Sequence, residues 1–342
     1  MRIAAMGEGN TPLVESVGIG PRLGIRLYFK LEMCNPTGSY KDRFVAAQVT
    51  TLLQRGAQAC VATSSGNTGS SLAAYCARYG IACAIFVNEF APAGKLLQMQ
   101  GHGARIFRVR DFAVSPGVTE KVFRRLRRMS DEDNVPLVVS AFAFCPEGMR
   151  GVQSIAAEIA QAGNAVDHVF VPVGGGGLFT AVCRGFDELS SSRPRVHAVQ
   201  PEGCATVVSA FREQREEIRP VQSTTRISGL SVPFDIDASL ALRALRDGCG
   251  RAIGVADDEV YTAQQLMLRE EGIWAEPAGA TALAGCIRAF AEGKIEKGAS
   301  VVCLVTGHGF KDPDSLAEAA RENTISVIDE TEIDSSLVEA RA

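Results

Sequence analysis

Residues 168–189 read HVFVPVGGGGLFTAVCRGFDEL. The run His168–Val173 is short, β-rich and mostly apolar, as a buried strand should be. The stretch from Leu178 has helical spacing. Four glycines, Gly174, Gly175, Gly176 and Gly177, stand between the two. Strand, glycine turn and helix make a βα unit. Without a Cβ, the turn lets backbone N–H groups approach a phosphate at the helix start. A dinucleotide site would need G-x-G-x-x-G/A. Gly174 and Gly176 fit that pattern, but Phe179 occupies its third position. No acid ends the next strand about 20 residues on; the nearest, Glu202, lies further away and follows a proline. The Walker lysine is missing too. A cup for a phosphate monoester suits these residues better.

The same alternation extends in both directions. Strands are expected at RLYFKLE, ACVAT, ACAIFV, RIFRV, PLVVS, VHAVQ and SVVCLV. Between them lie helical stretches, among them KDRFVAAQVTTLLQRG, TGSSLAAYCARYG, GKLLQMQGHG, MRGVQSIAAEIAQAG, DEVYTAQQLMLREEG and PAGATALAGCIRAFAEG. Such alternation implies βαβ units with mostly parallel sheets. The strands are apolar on both faces, as parallel strands covered by helices should be. The stretch from Glu213 to Asp237 reads as irregular, either a connector or a loop over a site. The basic run Lys121–Arg128 reads as a solvated helix face. The acidic tail after Asp312 is expected to fray.

At 342 residues and roughly 150 per domain, the chain is long enough for two domains. Lys plus Arg total 35 against 39 Asp plus Glu, a net charge of −4. That balance argues against a nucleic-acid partner or an anionic membrane. No apolar run reaches the roughly 18 residues of a membrane span. The opening MRIAAMGEGNTPLV has one arginine and no apolar centre, so it does not read as a signal peptide. The ten cysteines, at 34, 60, 76, 83, 145, 183, 204, 249, 286 and 303, form no C-x-x-C pair. They read as small hydrophobes in a reduced, cytoplasmic protein, with no metal site expected.

Three more motifs carry chemistry. In NPTGSYKDR (residues 35–43), Pro36 and Gly38 form a turn, Ser39 is placed to cap a helix, and Lys41 falls in its first turn. A lysine there opposes the helix dipole. Its amine could form a Schiff base with a carbonyl cofactor; the plain alternative is an exposed helix-start lysine. In TSSGNTG (63–69), Ser64, Ser65 and Thr68 with a helix start form a carboxylate-sized anion pocket, or an ordinary N-cap loop. Asn67 there could face a phenolic oxygen. In LVTGHGFKDP (304–313), Thr306 ends a strand, where open α/β sheets bind ligands, and its hydroxyl could meet a ring nitrogen. His308 reads as a base or, more simply, a turn residue.

GEGNTPL, NPTGSYKDR, SSGNTG, the tetraglycine loop, EPAGATALAG and TGHGFKDP occur in that order from about Gly7 to Pro313. Together they resemble the fold-type II pyridoxal-phosphate enzymes, closest to the branch of threonine synthases and serine/threonine dehydratases. The resemblance implies two three-layer α/β domains with mostly parallel sheets, as in the tryptophan synthase β subunit. The smaller would span residues 34–143 and the larger 1–33 plus 144–342, with pyridoxal 5′-phosphate between them. It assigns Lys41 as the lysine that holds the cofactor, Asn67 to its 3′-oxygen, Gly174–Gly177 to its phosphate and Thr306 to its pyridine nitrogen. Ser64, Ser65 and Thr68 would bind the carboxylate of a small amino-acid substrate. A cytoplasmic homodimer in amino-acid biosynthesis is expected.

Two positions depart from threonine synthases. Their phosphate loop commonly reads G-N-A-G, where this chain has Gly175. Their N-P-Y-R-x-E-G-Q-K-T, whose arginine helps read the substrate phosphate, corresponds here to CPEGMRGVQS. The arginine's place falls on Gly148, with Arg150 nearby as an alternative reader of the substrate's distal group or as a surface residue. The expected activity is that of a carbon–oxygen lyase or synthase, first O-phosphohomoserine to threonine plus phosphate. The alternatives are a serine/threonine dehydratase or a β-replacement synthase of the cysteine or cysteate type. Lys41 is the expected general base. A nicotinamide oxidoreductase is disfavoured by Phe179. A binding protein without turnover is disfavoured by the intact set of Lys41, Asn67 and Thr306.

Overall fold

The computed structural model describes residues 3–163, 165–189, 193–248, 250–321, 325, 327–333 and 336. In chain order the elements are β1 (Leu13–Glu15), α1 (Ile19–Leu23), β2 (Arg26–Lys30), α2 (Lys41–Gln54), β3 (Ala59–Ala62), α3 (Asn67–Tyr79) and β4 (Ala82–Asn88). Next come α4 (Ala93–Gly101), β5 (Arg105–Val109), α5 (Pro116–Glu132), β6 (Leu137–Val138), α6 (Pro146–Gln161), β7 (His168–Pro172) and α7 (Gly177–Asp187). The remainder are β8 (Arg195–Pro201), α8 (Thr206–Arg212), α9 (Ala238–Asp247), β9 (Ala252–Val255), α10 (Asp257–Glu270), α11 (Pro277–Ala291), β10 (Ser300–Leu304) and α12 (Pro313–Ala320).

The strands form two sheets, ordered β1-β2-β10-β7-β8-β9 and β5-β4-β3-β6. Among the described strands, β1 alone pairs antiparallel and the other strand pairings are parallel. Period-two alternation explains the doubly apolar strands. Val301, Cys303 and Val305 enter one core with Val260, Met267 and Leu283 from α10 and α11. Val302 and Leu304 enter another with Ile155 and Val182 from α6 and α7. The second core continues through Val45 and Val49 of α2 to Ala62 and Ile85 of the smaller sheet. Helix α2 therefore packs between the sheets. It approaches α6 closely because a Cβ on Gly151 would lie 2.3 Å from Arg43 O.

Strand order also locates the site. After β7 the chain steps outward to β8 and β9, then returns across β7 to form β10 beside it. In the smaller sheet the chain goes from β3 outward to β4 and β5, then returns to place β6 on the other side of β3. Each reversal opens a crevice at the strand carboxyl ends, where open α/β sheets bind ligands. The four segments leaving β7, β10, β3 and β6 lead to the tetraglycine loop, Thr306, Asn67 and Ser140.

Short elements escape the sequence reading: β1, α1, α8, α9, β9 and α12. Of the acidic tail, expected to fray, the start holds α12 with Ala319 buried, and residues 322–324, 326, 334–335 and 337–342 lie outside the described ones. Between Glu213 and Asp237 a 3-10 turn at Ser228–Leu230 is the one regular piece. The basic run lies on α5, where Arg124 pairs with Glu120 at an exposed i,i+4 spacing.

Candidate active site

The loop before α2 is stitched to the segment after β10. Tyr40 N donates to Thr306 O at 3.0 Å, His308 N donates to Gly38 O at 2.9 Å, and Ser39 bridges Gly307. Buried Asp42 locks the turn from behind, accepting from Thr37 N (2.7 Å), Thr37 Oγ1 (2.6 Å) and Ser71 Oγ (2.5 Å). The helix cap expected of Ser39 is not made. Tyr40 takes the cap position, and Ser39 Oγ is buried with no hydrogen-bond partner among the described residues. Lys41, the first residue of α2, is half-buried and donates from Nζ to Ser140 Oγ at 2.7 Å.

Ser140 links Lys41 to the tetraglycine loop. A Cβ on Gly177 would lie 3.6 Å from Ser140 O and 3.0 Å from Asp237 Oδ2. Asp237 organises this corner. Its N–H donates to Gly175 O at 2.9 Å, and its carboxylate accepts from Phe142 N (2.7 Å) and Ala143 N (3.1 Å). Gly176 has φ +96°, and a Cβ there would lie 2.5 Å from Asp237 O, so the turn admits no side chain. No side chain caps α7, and its first turn holds no acid. A bare glycine turn opening a helix suits a phosphate monoester, and the Lys41 amine nearby suits a carbonyl. The residues present therefore fit pyridoxal phosphate.

The opposite wall contains Asn67, first residue of α3, whose Nδ2 donates to Glu276 Oε1 at 2.8 Å. Glu276 holds the N-cap position of α11 without a side-chain cap bond, and its N–H donates to Gly307 O at 3.0 Å. Thr306 is buried beside them. Lys41, Asn67, Gly174–Gly177 and Thr306 are thus joined by a chain of contacts. Half-buried Ser64 and Ser65 and buried Thr68 flank Asn67. Arg150 lies elsewhere: it is exposed on α6 and lines a separate cavity of about 340 Å³ with Phe142, Pro146, Gln153 and Arg184. Gly148 faces α2, where a Cβ would lie 2.6 Å from the Phe44 ring. His308 accepts from Phe310 N at 3.2 Å and stacks on its ring, the arrangement of a turn residue.

Glu276, Asp237 and Ser140 are the residues that the motif reading leaves without a role. Burial pushes the Glu276 carboxyl up to about 7, against the hydrogen bond from Asn67 and the charges of Lys311 and Lys95. A carboxyl that holds its proton more tightly when folded adds stability that is complete below its unfolded value. That stability is lost as pH rises through the folded value. Between pH 4.5 and 8 the parent is expected to lose up to about 3 kcal/mol relative to Glu276→Gln. Thermal unfolding of both proteins across that range checks this. Other titrating groups, His197 among them, cancel in the difference. A flat difference would mean that Glu276 is ionised throughout.

Among the described cysteines, Cys60, Cys76 and Cys83 bring their sulfurs within 4.8 Å of one another, although sequence spacing gave no sign of it. Cys60 and Cys83 are register partners in β3 and β4, and Cys76 faces them from α3. All three are buried in an apolar core. Cys34 is exposed, and Cys249 lies outside the described residues.

A family model described as "Pyridoxal-phosphate dependent enzyme" matches residues 4–307. The chain is 35% identical over 331 residues to the threonine synthase of Methanocaldococcus jannaschii, covering 94% of this chain and 80% of that protein. It is 35% identical to the threonine synthase of Bacillus sp. (strain ULM1), covering 95% and 90%. Among solved structures it resembles the processed form of threonine deaminase isoform 2 from Solanum lycopersicum. The TM-score there is 0.77 at 21% identity, over 92% of this chain and 88% of that one, a likeness of fold.

Proposed function

The chain belongs to the pyridoxal-phosphate-dependent enzyme family, and from that premise we propose that it removes or exchanges the β or γ substituent of a small amino acid. The first reading is threonine synthase: O-phosphohomoserine and water give threonine and phosphate. The observation that carries the lyase reading is the convergence of Lys41, Asn67, the tetraglycine loop and Thr306 at the strand-order reversals of two sheets; the likeness to two threonine synthases puts that activity first. We assign residues 34–143 to a smaller domain and the rest to a larger one. We also assign the enzyme to the cytoplasm as a homodimer.

In this reading Lys41 Nζ would hold the cofactor carbonyl, the backbone of Gly174–Gly177 its phosphate, and Asn67 its 3′-oxygen. When bound, the cofactor supplies an electron sink for the substrate α-carbon. The serines and threonine around Asn67 anchor the substrate carboxylate at the α3 start. The Lys41 amine would also serve as the base that takes the substrate's α-proton. Ser140 Oγ orients that amine. Thr306 would offer the cofactor's ring nitrogen a neutral hydroxyl rather than a carboxylate, which would favour expulsion of a leaving group over transamination.

One observation favours a second reading, a serine/threonine dehydratase or β-replacement synthase. Phe44 fills the place where an arginine at position 148 would sit. The test is to incubate the cofactor-loaded enzyme with O-phosphohomoserine, serine and threonine. Threonine and inorganic phosphate from the first are the expected products. Turnover confined to serine or threonine, yielding a 2-oxo acid and ammonia, would replace the first reading with the second.

A further inference from the structure

We propose that Cys60, Cys76 and Cys83 form a three-coordinate thiolate site for a soft monovalent cation, copper(I), at the amino ends of two strands of the smaller sheet. Their sulfurs all lie within 4.8 Å of one another, and Cys60 Sγ is 3.5 Å from Cys76 Sγ. Metal–thiolate bonds of about 2.3 Å place the sulfurs of a planar trigonal site about 4.0 Å apart. The triangle formed by the three side chains is already of that size.

A βαβ crossover builds it. Cys60 and Cys83 are register partners in β3 and β4, so their side chains point to the same face of the sheet. Helix α3 connects these strands and buries Cys76 together with Leu72 and Ala73. Cys60 and Cys83 are each the second residue of their strand. The crevice that holds Asn67 lies beyond the opposite, carboxyl ends, so the cluster is separate from the catalytic chemistry. Its open side is at Cys83, which is 8% exposed against 1% for Cys60 and Cys76, and which follows exposed Ala82.

The donor set selects the ion. Thiolates alone favour copper(I) over harder cations. Among the described residues no fourth His, Cys, Asp or Glu side chain joins the three. Structural zinc takes four ligands. A water in the fourth place would need several polar partners, whereas the cluster is embedded in an apolar core. Charge points the same way. Hydrogen bonds from Cys60 and Cys76 pull the Cys83 thiol below its ordinary value, against its burial. One copper(I) that enters as one thiol proton leaves keeps the net charge of the core unchanged. A divalent ion would have to expel two protons.

The test offers copper(I) anaerobically to the cofactor-loaded enzyme in competition with the chelator bicinchoninate. The parent should retain a single copper per chain, and X-ray absorption should show three sulfurs at about 2.3 Å. Cys76→Ala should bind the ion at least about 100-fold more weakly, because two thiolates remain. Alanine suits helix α3; should that variant nonetheless fail to fold, Cys83→Ala, which leaves α3 unaltered, should show the same loss. Cys286→Ala, at the Cys286–Cys303 pair of the other core, should match the parent. Copper(I) at roughly 100 times its Kd should raise the parent's Tm by about 3–8 °C and leave that of Cys76→Ala unmoved. Copper lost to bicinchoninate by the parent would overturn the site and leave three thiols packed as small hydrophobes. Equal retention by parent and Cys76→Ala would also overturn it, by placing the ion on other sulfurs such as exposed Cys34. So would zinc retained in preference to copper(I).

Discussion

Replacing Lys41 with alanine is expected to leave a folded protein that no longer holds pyridoxal phosphate covalently and turns over its substrate roughly 10³-fold more slowly. Folding should not suffer. The side chain is half-buried, and the hydrogen bond it makes is the one from Nζ to Ser140 Oγ. As the first residue of α2 it places a positive charge at the positive end of the helix dipole, an arrangement costing about 0.3–1 kcal/mol. Alanine is also the better helix former. Apoenzyme stability should accordingly stay within about 1 kcal/mol of the parent, or rise. A residue unfavourable for the helix and dispensable for the fold is what a functional site is expected to retain. Borohydride reduction of the loaded parent, followed by peptide mapping, should place the phosphopyridoxyl label on the peptide carrying Lys41. A label on another lysine, or full activity in Lys41→Ala, would move the site.

The parts legible in the sequence are those with local signals. The long helices α2, α3, α6, α7, α10 and α11 and the strands β4, β5, β7, β8 and β10 announce themselves by apolar period and flanking glycine. Helix α9 had a signal too, in the spacing of Ala238, Ala241, Leu242 and Leu245, all buried. Its place just after a Pro- and Ser-rich connector hid it. At the site, Lys41, Asn67, Gly174–Gly177 and Thr306 stand out because glycine and hydroxyl residues gather at strand-to-helix turns. Ser140 and Asp237 lack such signals, because their roles come from contacts with residues about 100 positions away. Arg150 shows the converse. Proximity in sequence to a motif suggested a role, but one helical turn past Pro146 its side chain opens onto another face.

The Arg43 cluster is a buried ion network that no single segment reveals, and Arg43→Met is expected to cost about 3–5 kcal/mol because it leaves buried carboxylates unpaired. Buried Arg43 donates to both oxygens of Glu32 (2.7 and 2.8 Å) and to Glu158 (2.5 and 2.8 Å). Lys30 completes the balance at 2.6 Å from Glu158, so two cations meet two carboxylates. Thr11 and Asn35 donate the remaining hydrogen bonds to Glu32, which ties the GEGNTPL and NPTGSYKDR segments together. Burial alone would raise the Glu158 carboxyl, but the hydrogen bonds from Arg43 and Lys30 override it and hold it at about 2. A carboxyl depressed in this way contributes stability that is present above its unfolded value and is lost as pH falls toward 2. Methionine keeps the volume and removes the charge, leaving Glu32 fully buried with neither of its guanidinium bonds. Arg124→Met is the control: its pair with Glu120 is exposed at 71% and 72%, and such surface pairs contribute less than about 1 kcal/mol. Urea unfolding of both variants at pH 7.5 and pH 5 checks the contrast. The Arg43 variant should lose most of the difference at pH 7.5 and less at pH 5, where protonation can relieve the unpaired carboxylates. Because Arg43 lies two residues from Lys41, its cofactor content should fall together with its stability. If both variants unfold at the same urea concentration, the cluster is no stronger than a surface ion pair.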